Sequence, residues 1–431
     1  MGNREQRRIA GYLAKYLPDT LLRRVLDPRS VIGRRWKLSV MLRTAIVGIL
    51  ADCRGFSEIE TFSARIGSGA RKLLGLHRRL PDTTLRSTLC RLLPNSLREL
   101  LHILTYDALR RKALPPVLGF PFHAVSMDGK YISVKTSGQW AQAQSSSPWS
   151  QLRTITSTLL TSAAKPCIDA FPVPAVTNEM GAFAAAFAEH LRVYGKLATL
   201  FMYDSGAASL ANATLVVDAQ REYLFVLDAF QLEMFRTAQL LLQQKPFIYR
   251  QDNIERYAKP GHYPERRQEK TLRIVQTRPT RKNITVWSHA RTLLEVETKT
   301  YEGDTLIKSW TRWYVTSLTA DALTPEQWLW LITRRWSVET THQILDTAFE
   351  EDRRTAVVSD ELGALAFMLL RRIGYTLLAL YRGVTLRAEE HRTTPWKRVM
   401  AKFRDALILI DTETVEGLRR KRLAMPPACL T

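Results

Sequence analysis

The sequence predicts an α/β protein: a mixed sheet with flanking helices, interrupted by a β-rich insertion and preceded by a basic all-helical region. Three observations carry this. The first quarter has Leu and Ile at helical spacing and no β-branched runs; from residue 116 apolar strand-like runs alternate with amphipathic helical stretches; and from 229 to 320 short strand patterns follow one another between charged turns. At 431 residues the chain is too long for one ordinary core, and 45% hydrophobic with 24% charged residues excludes wholesale disorder.

Residues 1–115 read as helices over Ser39–Gly55, Phe56–Ile66, Pro81–Leu93 and Ser96–Lys112, divided by Pro and Gly. Residues 116–228 follow Pro115-Pro116. Here Phe122–Met127 and Tyr131–Lys135 read as strands flanking Asp128-Gly129, and Ile155–Thr161 and Ile168–Val173 as further strands. Glu179–Val193 reads as a helix, and Leu197–Tyr203 as a buried strand ending at Asp204. Within 229–320 the strands are Thr271–Thr277, Asn283–Ser288, Leu293–Thr300 and Trp310–Ser317. Residues 321–382 hold one long helix, Thr324–Phe349, and an apolar helix, Glu361–Arg382; residues 383–431 form a basic tail.

Charge narrows the function. Lys and Arg number 63 against 41 Asp and Glu, a net of +22. The first 112 residues carry 23 basic and 9 acidic side chains, a net of +14, in clusters such as Arg34-Arg35-Trp36-Lys37 and Arg78-Arg79. A field of this size predicts a polyanionic partner, nucleic acid above all. The four cysteines are far apart with no CxxC pair, which excludes a zinc-finger or disulfide framework and predicts a reducing compartment. The longest apolar stretches are cut by arginines, Leu362–Tyr381 by Arg371 and Arg372, so the expectation is a soluble intracellular protein that does not engage a membrane. No Walker loop or dinucleotide-binding glycine pattern is present, nor any convincing nucleophile cluster.

Three carboxylates stand out by position. Asp128 follows one strand-like run, Asp204 closes another, and Glu339 lies on the long helix. Two strand-end aspartates and a helical glutamate can converge at the carboxyl edge of an α/β sheet, and mutual repulsion then calls for a divalent cation with hard oxygen ligands. On the helix Arg335, Glu339, His342, Gln343 and Asp346 recur at i, i+4, i+7, i+8 and i+11, one polar stripe. His342 is expected to support the acids by hydrogen bonding, with Asp346 beside it.

Several segments match a known family. Leu26-Asp27-Pro28-Arg29, Gly55-Phe56-Ser57-Glu58-Ile59, Pro81-Asp82-Thr83-Thr84-Leu85-Arg86, Ser126-Met127-Asp128-Gly129-Lys130, Thr177-Asn178-Glu179 and the helix from Arg335-Trp336-Ser337-Val338-Glu339 through His342 to Asp352 are similar to motifs of the H-repeat-associated insertion-sequence transposases. These are DDE transposases with a ribonuclease-H-like core, and the resemblance runs from about Leu26 to Arg382. It implies a ribonuclease-H-like mixed sheet in which Asp128, Asp204 and Glu339 are the catalytic carboxylates and hold two Mg²⁺ (or Mn²⁺) ions. It implies DNA cleavage at insertion-sequence ends followed by strand transfer into target DNA, by a bacterial cytoplasmic protein at the nucleoid that acts as a dimer on double-stranded DNA. Arg335 and Lys130 are expected to contact DNA phosphate. One departure is Asp346, where the broader group often carries a lysine. A catalytically inactive, transposase-derived DNA-binding protein and a stand-alone nuclease remain as alternatives.

Overall fold

A computed structural model describes residues 3–32, 34–144, 147–244, 246–255, 266–277, 287–335, 337–352, 359–386 and 393–424. The centre is a mixed sheet of ten strands in the order β2-β3-β1-β5-β6-β10-β9-β8-β7, with β4 paired to β3. One half of it consists of β1 (His123–Val134), β2 (Ala141–Ala143), β3 (Ser150–Leu159), β4 (Cys167–Pro172), β5 (Ala198–Tyr203) and β6 (Glu222–Leu227). β1, β5 and β6 are parallel neighbours, linked by the crossover helices α8 (Glu179–Tyr194) and α9 (Leu210–Asp218); β3 runs antiparallel to β1. Asn178 caps α8 by accepting from the Gly181 amide, and Ser209 caps α9 likewise.

Alternation along β5 divides the interior. Phe201 and Tyr203 pack against Phe183 and Phe187 of α8, whereas Leu200 and Met202 belong to a separate cluster with Trp328, Leu329, Leu331 and Ile332. The latter four lie on α11 (Pro325–Arg334).

Among its described residues the basic region forms seven helices: α1 (Asn3–Tyr16), α2 (Asp19–Leu22), α3 (Leu38–Leu50), α4 (Phe56–Arg65), α5 (Ser68–Leu74), α6 (Asp82–Leu89) and α7 (Pro94–Arg110). It is not a detached module. Every residue of α3 is buried, and α3, α6 and α7 pack on α13 (Glu361–Leu380), which in turn contacts β4. One apolar cluster therefore runs from Ile9 to Val415. A charged knot fixes α7 to β4: the Arg98 guanidinium donates to both oxygens of Asp169 at 3.0 and 2.7 Å, with His102 Nε2 at 2.9 Å. Helix α13 with its π-helical end, Glu361–Thr385, is long and apolar enough to cross a membrane, yet 94% of its most apolar 18-residue window is buried inside the protein. Its Arg372 forms a fully buried pair with Glu351, Nη1 at 2.7 Å, while Nε and Nη2 have no hydrogen-bond partner among the described residues. Two helices of the tail, α14 (Trp396–Leu409) and α15 (Thr412–Ala424), close over α1 and α5.

The structure revises three expectations. The 229–320 region opens with α10 (Leu232–Gln244), and its strands β7 (Phe247–Glu255), β8 (Arg266–Gln276), β9 (Thr292–Glu302) and β10 (Thr305–Thr316) extend the central sheet, because β10 pairs with β6 from Trp313↔Leu227 to Thr316↔Leu224. Most of the expected strand Asn283–Ser288 lies outside the described residues. Second, Asp128 does not sit at a strand end. β1 continues through it, because β3 supplies a partner for each residue from Val125 to Val134. Third, the long helix is two, α11 and α12 (Ser337–Thr347). At the junction the Arg335 carbonyl accepts from the Ser126 hydroxyl at 3.3 Å and from the Val338 amide at 3.5 Å, three residues on rather than four. Trp336 lies outside the described residues.

Candidate active site

Strand register brings the two aspartates level. The last β1–β5 pair is Ser126↔Met202, and two residues further each chain carries a carboxylate, Asp128 and Asp204. β1–β5 pairing ends at Ser126 and β5 stops at Tyr203, so Asp204 lies just past its strand while Asp128 stays in β1, paired with Thr156 of β3. α12 crosses β1 and contributes Glu339, and a cavity of about 360 Å³ is lined by Asp204, Glu339, Arg335, Asp228 and Arg312.

The acids perturb one another. Burial pushes Asp128 up to about 6 against the pull of Arg335. Asp204 is raised by burial and then by Asp128. Glu339 is raised by burial and by both aspartates, while Arg335 opposes this. Arg335 is thus the positive charge that all three share. Its side chain is only 3% exposed, lies 3.7 Å from Glu339 and hydrogen-bonds the Tyr314 hydroxyl. The guanidinium is thus buried while its partner Glu339 is 43% exposed.

His342 lies beside Asp128. Nδ1 lies 3.3 Å from Asp128 Oδ2, and burial, with Arg372 and Lys130 nearby, holds the imidazole neutral with its pKa lowered to about 3. Its buried Nε2 has no hydrogen-bond partner among the described residues. Lys130 departs from expectation. Rather than opening toward phosphate, its buried ammonium is 2.8 Å from Asp346 and 3.4 Å from Asp352. It braces β1 against the end of α12, and Asp346 serves as its anchor. Burial still pushes Asp346 up to about 6 despite this lysine.

A fourth carboxylate, Glu179, is absent from the site residues that the sequence predicts. It stands in the first turn of α8, and a methyl group built on Gly129 would fall 2.0 Å from its carboxyl carbon. Burial raises its pKa, followed by Asp128; Asp204 adds to this and Arg153 opposes it. The signal in the sequence is Gly129 itself, a residue without a side chain next to a catalytic candidate, where close approach by another group is the usual reason.

Among the described residues no three His, Cys, Asp or Glu side chains stand close enough to hold a metal ion as they are placed. The donor chemistry nevertheless fits a hard divalent cation: Asp128, Asp204 and Glu339 offer carboxylate oxygens whose mutual repulsion a cation would relieve. Glu339 would have to leave Arg335 to join such a site. No protein-family model and no curated protein matches the chain.

Proposed function

We propose that this protein is a DDE-type transposase that cleaves DNA at the ends of an insertion sequence and joins them to target DNA. The observation that carries the reading is the meeting of Asp128, Asp204 and Glu339, from three separate elements, around the buried Arg335. The parallel β1-β5-β6 core flanked by antiparallel β3, with acids on β1 and just after β5, supports a ribonuclease-H-like identity.

Asp128, Asp204 and Glu339 would hold Mg²⁺ or Mn²⁺. When bound, a pair of such ions supplies the charge that activates a water or 3′-hydroxyl and stabilises the leaving oxygen. The protein's own groups supply the rest. Neutral His342 fixes the orientation of the Asp128 carboxylate, and the Lys130–Asp346 pair ties its strand to α12. Arg335, with a planar fork suited to two phosphate oxygens, positions the scissile phosphate at the mouth of the cavity; Arg312 on β10 extends the positive wall. A second cavity of about 410 Å³ in the N-terminal helices, lined by Arg23, Arg35, Lys37, Lys72 and Arg78, suits duplex phosphates.

The test is metal-dependent cleavage of a plasmid carrying the DNA that flanks the gene. Asp128→Asn, Asp204→Asn and Glu339→Gln are each expected to abolish cleavage with DNA affinity within about twofold of the parent. Cleavage retained in any of them removes that residue from the site.

A further inference from the structure

The cavity at the carboxylates does not end there. Thr311 and Arg312 also line a neighbouring cavity of about 500 Å³ on the outer strands, and Lys270 and Thr333 of that one line a third, of about 580 Å³. Shared walls make the three a continuous trough, running from the acids over the β8–β10 face and along α11.

Strand register shows what covers its floor. One row across the sheet is Leu272–Val296–Arg312, the next Lys270–Thr298–Trp310, and the next Gln268–Thr300–Lys308. Rows on one face are two residues apart, so these span about 13 Å. They carry three cations and no carboxylate; the pair Arg266–Glu302 lies one row beyond. The opposite face differs. There Arg273 pairs with Glu295 and Glu297, Lys299 with Glu297 and Arg267 with Glu269, so positive and negative charges balance. Glu326, at the far end by α11, is hydrogen-bonded to Tyr249. Aromatic surface alternates with the cations: Trp310 carries Arg312 over its ring at 5.1 Å, and Trp330 lines the third cavity. In the floor the buried Thr298 hydroxyl has no hydrogen-bond partner among the described residues.

A positive groove with aromatic faces along it is how proteins hold single-stranded nucleic acid, by phosphate contacts and base stacking. We propose that this trough carries a single DNA strand away from the carboxylate site. The proposal rests on the transposase reading for its direction, and the outer strands then serve to extend the central sheet into a strand guide.

The experiment uses the full chain and fluorescent oligonucleotides: a blunt duplex, and the same duplex with a single-stranded tail of about eight nucleotides, within the usual range for one such site, at the 3′ or the 5′ end. The parent is expected to bind one tailed form at least tenfold tighter than the blunt one. The double variant Lys270→Gln/Lys308→Gln, remote from the acids, should bring that preference within about twofold and leave blunt affinity unchanged. The log–log salt slope for the tailed form should fall by about 1.4, or 0.7 per lost contact. Trp310→Ala should weaken tailed binding without altering the slope. Equal loss for blunt and tailed DNA, or no tail preference in the parent, overturns the proposal. Asp128→Asn should keep the tail preference, so a failure of the cleavage reading and a failure of the trough appear in different assays.

Discussion

Asp128 and Asp204 occupy the same level of two parallel strands, two residues past the last rung, Ser126 with Met202. This alignment follows from backbone register alone. It brings two carboxylates close enough to interact and leaves Arg335 to balance them.

That arrangement costs stability without a cation. Asp128 titrates near 3.8 when unfolded and near 6 when folded, so the unfolded chain releases its proton first. The penalty is absent below about pH 3.8, grows as pH rises to about 6, and is full above that. Its upper bound is on the order of 3 kcal/mol. Asp128→Asn is therefore expected to raise the melting temperature of the cation-free protein at pH 8 and not at pH 4. Millimolar Mg²⁺ or Mn²⁺ should stabilise the parent more than the variant. A variant no more stable than the parent at pH 8 contradicts this electrostatic account.

Arg335 balances the charge of the three acids, and in the proposed reaction it also positions phosphate. Arg335→Ala should slow cleavage by at least about tenfold, equivalent to about 1.4 kcal/mol, and lower the melting point by exposing the acids to one another. Arg335→Lys keeps the charge and loses the planar fork, so it should restore stability and only part of the rate. Full activity in the alanine variant would remove the guanidinium from the phosphate.

A methyl group on Gly129 would meet the Glu179 carboxyl group, the far end of a side chain that can swing aside. Gly129→Ala should therefore destabilise by only about 0.5–1.5 kcal/mol, the cost of pushing one side chain off its rotamer. The double variant Gly129→Ala/Glu179→Ala should recover most of that loss, measured by denaturant unfolding. Additive effects would separate the two residues.

The buried pair Arg372–Glu351 ties the loop after α12 to α13. Removing one partner leaves an uncompensated buried charge, at a cost of about 3–5 kcal/mol. Glu351→Gln should accordingly lower stability far more than Glu350→Gln, whose partner Arg54 is part-exposed. Similar losses in both would argue against a buried charge.

The carboxylates stand out in the sequence because apolar runs end just before Asp128 and at Asp204, and apolar residues surround Glu339 at helical spacing. Local pattern does not reveal which partners complete each backbone ladder. Asp128-Gly129 reads as a turn until β3 is seen to pair through it, and residues 324–349 read as one helix where the fold has two, Pro325–Arg334 and Ser337–Thr347. Lys130 next to the first aspartate suggests a phosphate contact; only the fold brings Asp346, 216 residues away, against it. The basic helices look separable because their charges lie outside, whereas their apolar faces, α3 above all, depend on α13 from the other end of the chain. Glu179 sits in plain view within Thr177-Asn178-Glu179, but its nearness to Asp128 is a property of the α8 crossover.

The central claim is that these carboxylates perform strand transfer as well as cleavage. The most direct measurement supplies the full chain with oligonucleotides that end in a free 3′-hydroxyl at the element's terminal sequence, a supercoiled target plasmid and Mg²⁺. The account predicts covalent joining of the oligonucleotide to the plasmid, lost in Asp204→Asn and Glu339→Gln while both still bind the DNA. Cleavage without joining would make the protein a nuclease, and DNA binding with neither reaction would make it a binding protein built on a transposase scaffold.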